Sequence, residues 1–123
     1  MEFEGELLKC IGPLAVLEVL SRGTQTCREL GETIARQSEN ILVLSGRSLQ
    51  TLLTHLEAKG LVSRENRPIS SRRQACYYYS LTTAGYSRLV EERAQWEKLQ
   101  EGIGLFFQHA PHSEFPRPSG ARP

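Results

Sequence analysis

The chain lacks the features of several large protein classes. Its 123 residues allow one domain of ordinary size, whereas a doubly wound sheet or a barrel needs more chain than this. No apolar run approaches the ~20 residues that cross a bilayer. Residues 1–4 are acidic where a secretory signal would be basic. We therefore expect neither a membrane span nor a signal peptide.

Cysteine is scarce and widely spaced. Cys10, Cys27 and Cys76 form no CxxC pair, which excludes a disulfide framework and the usual structural zinc patterns. Such cysteines suit a reducing cytoplasm, where we expect the protein to be found. Their expected role is that of small buried hydrophobic residues, and a redox-sensing role stays open until their pKa values or exposure are known.

Motifs that carry enzyme or metal chemistry are also missing. The sequence has no Gly-rich phosphate loop, no HExxH and no nucleophile–base pairing. Its histidines stand at positions 55, 109 and 112, and the last two have no third ligand near them in a Pro-containing segment. We expect no cofactor and no metal site, and nothing in these residues indicates an enzyme.

The net charge of +1 hides an uneven distribution. Residues 1–44 carry a net charge of −3, residues 45–80 carry +4, and residues 81–123 are balanced. A basic segment on an otherwise neutral protein attracts phosphate when it forms one face. An arginine-rich solvated loop is the alternative, and charge alone does not distinguish the two.

Two helices are predicted in the first third of the chain. Apolar residues lie almost all round residues 4–22, which is typical of a helix inside the core. Pro13 either begins the main helix or kinks a longer one. Thr26 and Glu29 have the spacing of a capping box, in which each side chain bonds the other residue's backbone N–H. A short second helix is therefore expected to follow Thr26.

A third helix is predicted between an N-cap at Ser45 and a stop at Gly60. Its leucines recur at the i, i+3, i+4, i+7 spacing of a buried face. The opposite face is rich in hydrogen-bond donors and has no acid before Glu57. DNA contact and an ordinary solvated face are the two interpretations of it. The candidate DNA-contacting residues on this face are Arg47, Ser48, Gln50, Thr51, Thr54 and His55.

Residues 61–64 and 76–81 predict the two strands of a β-hairpin because they are rich in β-branched and aromatic residues. The segment between them predicts a long basic tip. Side chains alternate along a strand, so the tyrosines at 77–79 should alternate between core and surface. That alternation argues against a stacking platform for single-stranded nucleic acid. The candidate phosphate-contacting arginines of the hairpin are Arg64, Arg67, Arg72 and Arg73.

Residues 82–107 predict a long final helix with a stripe of apolar side chains at heptad-like spacing. A small core cannot absorb the whole stripe, so we expect this helix to pair with another chain. Trp96 is expected to pack in that pair. The candidate dimer-interface residues are Leu89, Trp96, Leu99, Ile103 and Phe106. Residues 108–123 contain four prolines and predict a disordered tail.

These elements predict a mainly α fold with a small β-hairpin, the winged helix-turn-helix, followed by a dimerisation helix. The expected domains are a winged-helix DNA-binding domain over residues 1–81, the dimerisation helix over 82–107 and the tail over 108–123. A recognition helix fits the major groove, and the arginines of a hairpin can reach phosphates or the adjacent minor groove.

Several stretches of the chain are also similar to a known family. They are Leu7-Leu8-Lys9, residues 14–17, Leu44-Ser45-Gly46-Arg47-Ser48-Leu49, residues 53–62, Arg72-Arg73, Tyr77-Tyr78-Tyr79-Ser80-Leu81-Thr82 and Gly85. They resemble the opening helix, recognition helix, wing strands and last helix of PadR-like transcriptional regulators. The similarity covers about residues 6–107 and is strongest over residues 45–85. The sequence departs from the family at Gln50, where members often have tyrosine, and at residues 26–28, which replace the usual His/Tyr-Gly-Tyr.

The resemblance implies a homodimeric bacterial repressor, and some members respond to phenolic or planar drug-like molecules at the dimer interface. We therefore expect a DNA-binding repressor whose partners are double-stranded DNA and a second copy of itself. The resemblance also implies a small aromatic effector at the interface, in a pocket that Trp96 from each chain lines, and the candidate interface residues are then candidate effector residues as well. The alternative is a winged-helix protein-interaction module without operator binding, whose basic wing meets an acidic partner.

Overall fold

The computed structural model describes residues 5–68 and 75–109, and within them the side chains of residues 9–67 and 76–109. The elements are α1 (Gly5–Leu20), β1 (Gln25–Thr26), α2 (Cys27–Gln37), α3 (Gly46–Ala58), β2 (Val62–Pro68), β3 (Ala75–Leu81) and α4 (Thr83–His109). This order confirms the predicted winged helix-turn-helix with a long C-terminal helix. In the described ranges, no helix is long and apolar enough to cross a membrane.

The helix boundaries follow local sequence signals. Thr26 Oγ1 accepts a hydrogen bond from the N–H of Glu29 at 3.1 Å, and the N–H of Thr26 donates to Glu29 Oε1 at 3.0 Å. Ser45 Oγ accepts from the N–H of Ser48 at 3.1 Å and begins α3. These bonds satisfy N–H groups that have no partner inside the helix, and both predicted caps are confirmed.

The first helix runs through its proline. Pro13 lies inside α1, so the region is one helix and not two. Proline removes one backbone donor from the helix interior, and burial of the surrounding turns compensates for that loss. Val16 and Leu17, in the turn that follows, are fully buried.

The sheet has one strand more than the sequence predicted. Its order is β1-β3-β2, and all of its pairs are antiparallel. β1 pairs with β3 through Gln25 opposite Tyr79 and Thr26 opposite Tyr78. The predicted hairpin of β2 and β3 is present, with Arg64 opposite Tyr79 and Arg67 opposite Cys76.

The core lies where the first three helices meet the sheet. Leu17 of α1, Leu30 of α2 and Leu53 of α3 are each completely buried, and Val62 and Tyr79 close the core from the sheet. Full burial of such side chains contributes about 1.5–3 kcal/mol each to stability. One face of α3 is thereby held inside the protein.

The long helix α4 serves the core only at its beginning. The chain divides into two units after Glu91, and each is described by itself. Leu89 is 5 % exposed and belongs to the hydrophobic core of the first unit. Its assignment to a dimer or effector interface was therefore wrong, because a heptad spacing does not distinguish a core position from an interface position. α4 also continues beyond residue 107 to include Gln108 and His109, which the sequence placed in the tail.

Gly85 permits the close approach of α4 to the rest of the first unit. A Cβ at this position would lie 2.2 Å from the backbone oxygen of Leu61 and 2.7 Å from Leu81 Cδ1. The N–H of Gly85 also donates to Thr82 Oγ1 at 3.0 Å. A larger residue must push the helix away from the sheet.

We expect Gly85→Ala to destabilise the protein by about 1–3 kcal/mol because the added methyl overpacks this contact. Urea denaturation measures the change in free energy of unfolding. Gly104→Ala is the matched control, since the same helix offers open space there and alanine favours helix. Equal stability of Gly85→Ala and the wild-type protein would contradict this account of the packing.

Candidate nucleic-acid interface

The outward face of α3 is the centre of the candidate site. Leu49, Leu53 and Leu56 are buried on the inner face. The helical period then turns the predicted contact residues outward. All of those residues are exposed, namely Arg47, Ser48, Gln50, Thr51, Thr54 and His55. The structure thus brings the sequence-predicted residues of this helix onto one accessible surface, here called the α3 face.

Most of the α3 face is free to make new hydrogen bonds. Thr54 Oγ1 donates to the carbonyl of Gln50 at 2.9 Å, within the helix itself. Gln50 Nε2 donates to the Tyr79 hydroxyl at 3.2 Å. The side chains of Arg47, Thr51 and His55 make no hydrogen bond or ion pair within the described part of the chain, so their donors are available to a ligand.

The charge on α3 is concentrated at its ends. Arg47 lies in the first turn, which contains no acidic residue, and Lys59 is the C-cap. A cation near a helix N-terminus opposes the helix dipole by about 0.3–1 kcal/mol. An arginine at this place therefore adds nothing to helix stability and makes the end of the helix attractive to an anion.

Arg64 of β2 contacts both α3 and the neighbouring strand β3. Its Nε is 3.5 Å from Glu57 Oε2 on α3, and its guanidinium lies 4.4 Å from the centre of the Tyr77 ring. Pairs at such exposure are worth only about 0–1 kcal/mol, and an exposed cation–π contact about 0.5–1 kcal/mol. These contacts orient Arg64 beside the α3 face. They are weak enough for a phosphate group to replace them.

Arg67 is held in the same way on the other face of the hairpin. Its Nη2 is 3.0 Å from Glu65 Oε1, and its guanidinium lies 4.6 Å from the centre of the Tyr78 ring. Residues directly opposite each other in a sheet share a face, so the register places Arg64 with Tyr79 and Arg67 with Cys76. The hairpin arginines therefore do not form one patch, since Arg64 adjoins α3 and Arg67 faces away from it. Arg72 and Arg73 lie outside the described residues.

The three consecutive tyrosines alternate as predicted. Tyr79 is 2 % exposed, whereas Tyr77, two residues earlier on the same face, is 46 % exposed because the core ends between them. Tyr78 lies half-buried on the opposite face. Sequence reasoning did not find the Gln50–Tyr79 and Arg64–Glu57 contacts, because their partners come from different elements. Alternation along β3 does not say which tyrosines point inward, and no local signal in the sequence pairs one of them with Gln50.

The cysteines differ in their surroundings. Cys10 is exposed on α1, so the expectation that all of them are buried was wrong. Cys27 is half-buried, and burial raises the pKa of its thiol. A raised pKa lowers the fraction of reactive thiolate, which argues against a redox-sensing role for Cys27. Among the described residues, no group of His, Cys, Asp and Glu side chains could hold a metal ion.

The second unit contains the exposed part of the predicted interface. Trp96, Leu99, Ile103 and Phe106 are between 38 % and 75 % exposed along one side of α4. We call this set the α4 stripe. An open groove of about 450 Å³ lies against it, and Gln95 and Lys98 form part of its lining. Large apolar side chains in such a row mark a surface that another molecule covers.

Comparison with known proteins gives a consistent result at the level of structure. No family model and no curated protein matches the chain. A transcriptional regulator from Clostridium thermocellum is 18% identical with a TM-score of 0.75, and the alignment covers 83% of this chain and 98% of that chain. A PadR family transcriptional regulator from Eggerthella lenta is 27% identical with a TM-score of 0.72, over 83% of this chain and 86% of that one.

A third neighbour was solved with nucleic acid. Bacillus subtilis PadR in complex with operator DNA is 16% identical with a TM-score of 0.61, over 66% of this chain and 46% of that chain. The chain thus shares the winged-helix fold of these transcriptional regulators. Its structure is similar to those of PadR family and PadR-like regulators, in agreement with the resemblance in the sequence motifs.

Proposed function

We propose that the protein is a homodimeric DNA-binding transcriptional regulator that acts as a repressor. The observation that carries this proposal is the α3 face, which is exposed, rich in donors and free of acids, and adjoins an arginine-bearing hairpin. The operator DNA complex of the Bacillus subtilis neighbour supports the same use of the fold. The protein-interaction module remains the alternative that the DNA experiment below tests.

Base reading falls to α3 in this proposal. A helix fits the major groove, which is about 12 Å wide, and its N-terminal residues approach the base edges. Arg47 in the first turn can pair with guanine or phosphate, and Gln50 and Thr51 follow on the next turn. Ser48, Thr54 and His55 add contacts farther along the face or to the backbone.

In this proposal the arginines of the hairpin bind phosphate groups. Arg64 and Arg67 exchange their weak contacts with Glu57 and Glu65 for phosphate oxygens, which releases counterions from the DNA. Arg72 and Arg73, which follow β2 in sequence and lie outside the described residues, would also contact the DNA backbone in this proposal. Contacts of this kind position the protein on the duplex without selecting a sequence.

Dimerisation through the α4 stripe gives the molecule two copies of α3 and its hairpin, here called the two reading heads. The stripe without Leu89 comprises Trp96, Leu99, Ile103 and Phe106, at alternating intervals of three and four residues. That spacing is the seam of a helix pair, which removes these side chains from water. Two reading heads then address half-sites about 34–36 Å apart on a nearly palindromic operator.

A small aromatic effector would bind between the two copies, against Trp96 and the α4 groove. Such a ligand releases the protein from DNA only if it binds more tightly to a dimer whose reading heads have a separation that does not fit the operator. Its aromatic class is what the resemblance to PadR-like regulators implies, and the apolar lining of the groove by Leu99, Ile103 and Phe106 suits an apolar ligand.

The first prediction concerns DNA binding. We expect the protein to bind its preferred duplex more tightly than the ~10⁻⁴–10⁻⁶ M of non-specific contact, with affinity that falls steeply as salt increases. Arg64→Ala should reduce the slope of log affinity against log salt by about 1, because one phosphate contact beside α3 is lost. Fluorescence anisotropy with labelled duplexes over a salt series measures both quantities.

Arg28→Ala is the matched control for this experiment. Arg28 is also an exposed arginine paired with a glutamate, Glu32, but it lies on α2 and outside the candidate interface. The control should leave the salt slope unchanged. No binding at low salt would overturn the proposal in favour of the protein-interaction module, and equal effects of the two variants would remove Arg64 from the interface.

The second prediction concerns assembly. Ile103→Glu should convert the dimer to a monomer at micromolar concentration, because it places a charge in the centre of the apolar seam. Sedimentation velocity measures the mass in solution. Leu105→Glu is the control, since Leu105 is 49 % exposed on the opposite side of the same helix and should leave the dimer intact. A wild-type monomer, or dissociation by both variants alike, would contradict the α4 seam.

A further inference from the structure

Among the residues of the α3 face, only Gln50 has a side chain that forms a hydrogen bond with another described element. Its Nε2 donates to the hydroxyl of Tyr79 at 3.2 Å, across 29 positions of sequence. The two partners differ in exposure, since Gln50 is exposed and Tyr79 is 2 % exposed. The hydroxyl of a buried tyrosine thus accepts a hydrogen bond from the amide of an accessible residue.

The remaining hydrogen-bonding groups of this amide match one base. A glutamine amide has two N–H donors and one carbonyl acceptor. Tyr79 takes one N–H, which leaves one N–H donor and the carbonyl acceptor of Gln50 for a ligand. Adenine presents the complementary pair in the major groove, an acceptor at N7 and a donor at N6.

We propose that Tyr79 is a positioning residue that orients Gln50 to read adenine, an inference that rests on the proposed function. A free glutamine loses most of its rotamer freedom when it forms a bidentate contact with a base. The hydrogen bond to the Tyr79 hydroxyl already restricts the Gln50 rotamers in the free protein. Less conformational entropy is then lost when the protein binds DNA. Because Tyr79 is on β3, the same bond fixes the reading amide relative to the hairpin.

The experiment is selection of binding sequences from a randomised duplex library by the full-length protein. Four proteins are compared, the wild type, Tyr79→Phe, Gln50→Ala and the double variant. Tyr79→Phe keeps the buried ring and removes only the hydroxyl. Tyr78→Phe is the matched control, because Tyr78 is the neighbouring residue on the opposite face of the same strand. Circular dichroism and salt-dependent binding to a non-cognate duplex confirm that each variant is folded.

We expect the wild-type motif to contain an adenine in each half-site whose preference disappears in Gln50→Ala. Tyr79→Phe should weaken that preference about three- to tenfold and leave every other position unchanged. In the Gln50→Ala background the loss of the hydroxyl should have no further effect, since there is no amide to orient. Tyr78→Phe should reproduce the wild-type motif.

Distinct outcomes would overturn the inference. An unchanged adenine preference in Tyr79→Phe would mean that the hydroxyl does not orient the Gln50 amide. A stronger preference would mean that the hydroxyl keeps the amide from contacting DNA. A uniform loss at all positions would mean that Tyr79 only supports the fold. A wild-type protein that enriches no sequence would overturn the proposed function itself, and this inference with it.

Discussion

The one-sided burial of α3 is the constraint on which the rest of the structure depends. Leu49, Leu53 and Leu56 are fixed in the core, which leaves the helix a single rotational position. A rotation by one residue would expose leucine and bury arginine at a cost of several kcal/mol. The orientation of Arg47 and Thr51 toward solvent is therefore a consequence of packing, and the candidate site needs no separate device to present them.

The sheet extends this constraint to the hairpin. Tyr79 lies on the core face of β3, and the strand register then determines which side each hairpin arginine takes. Arg64 adjoins α3 while Arg67 faces away, although the sequence separates them by only three positions. The ion pairs of both arginines with glutamates are weak, so they orient the guanidinium groups without preventing exchange for phosphate.

The local features of this fold were predictable from sequence, and the features that depend on distant contacts were not. Thr26 and Ser45 act within one helical turn, so their caps were predicted correctly. β1 has only two residues, too few to show a strand pattern, and forms because β3 offers an edge. Leu89 has the heptad spacing of the α4 stripe, but its burial depends on distant residues of the hydrophobic core, which periodicity does not report.

The central claim is that α3 and the Arg64 side of the hairpin present one surface to duplex DNA, and an NMR titration tests it most directly. Amide resonances of the ¹⁵N-labelled protein are followed as a short duplex is added at low salt. The account predicts that shifts concentrate on Arg47, Gln50 and Thr51 of α3 and on β2, with little change in α2. Shifts confined to α2 or to residues 92–109, or no shifts at all, would contradict it.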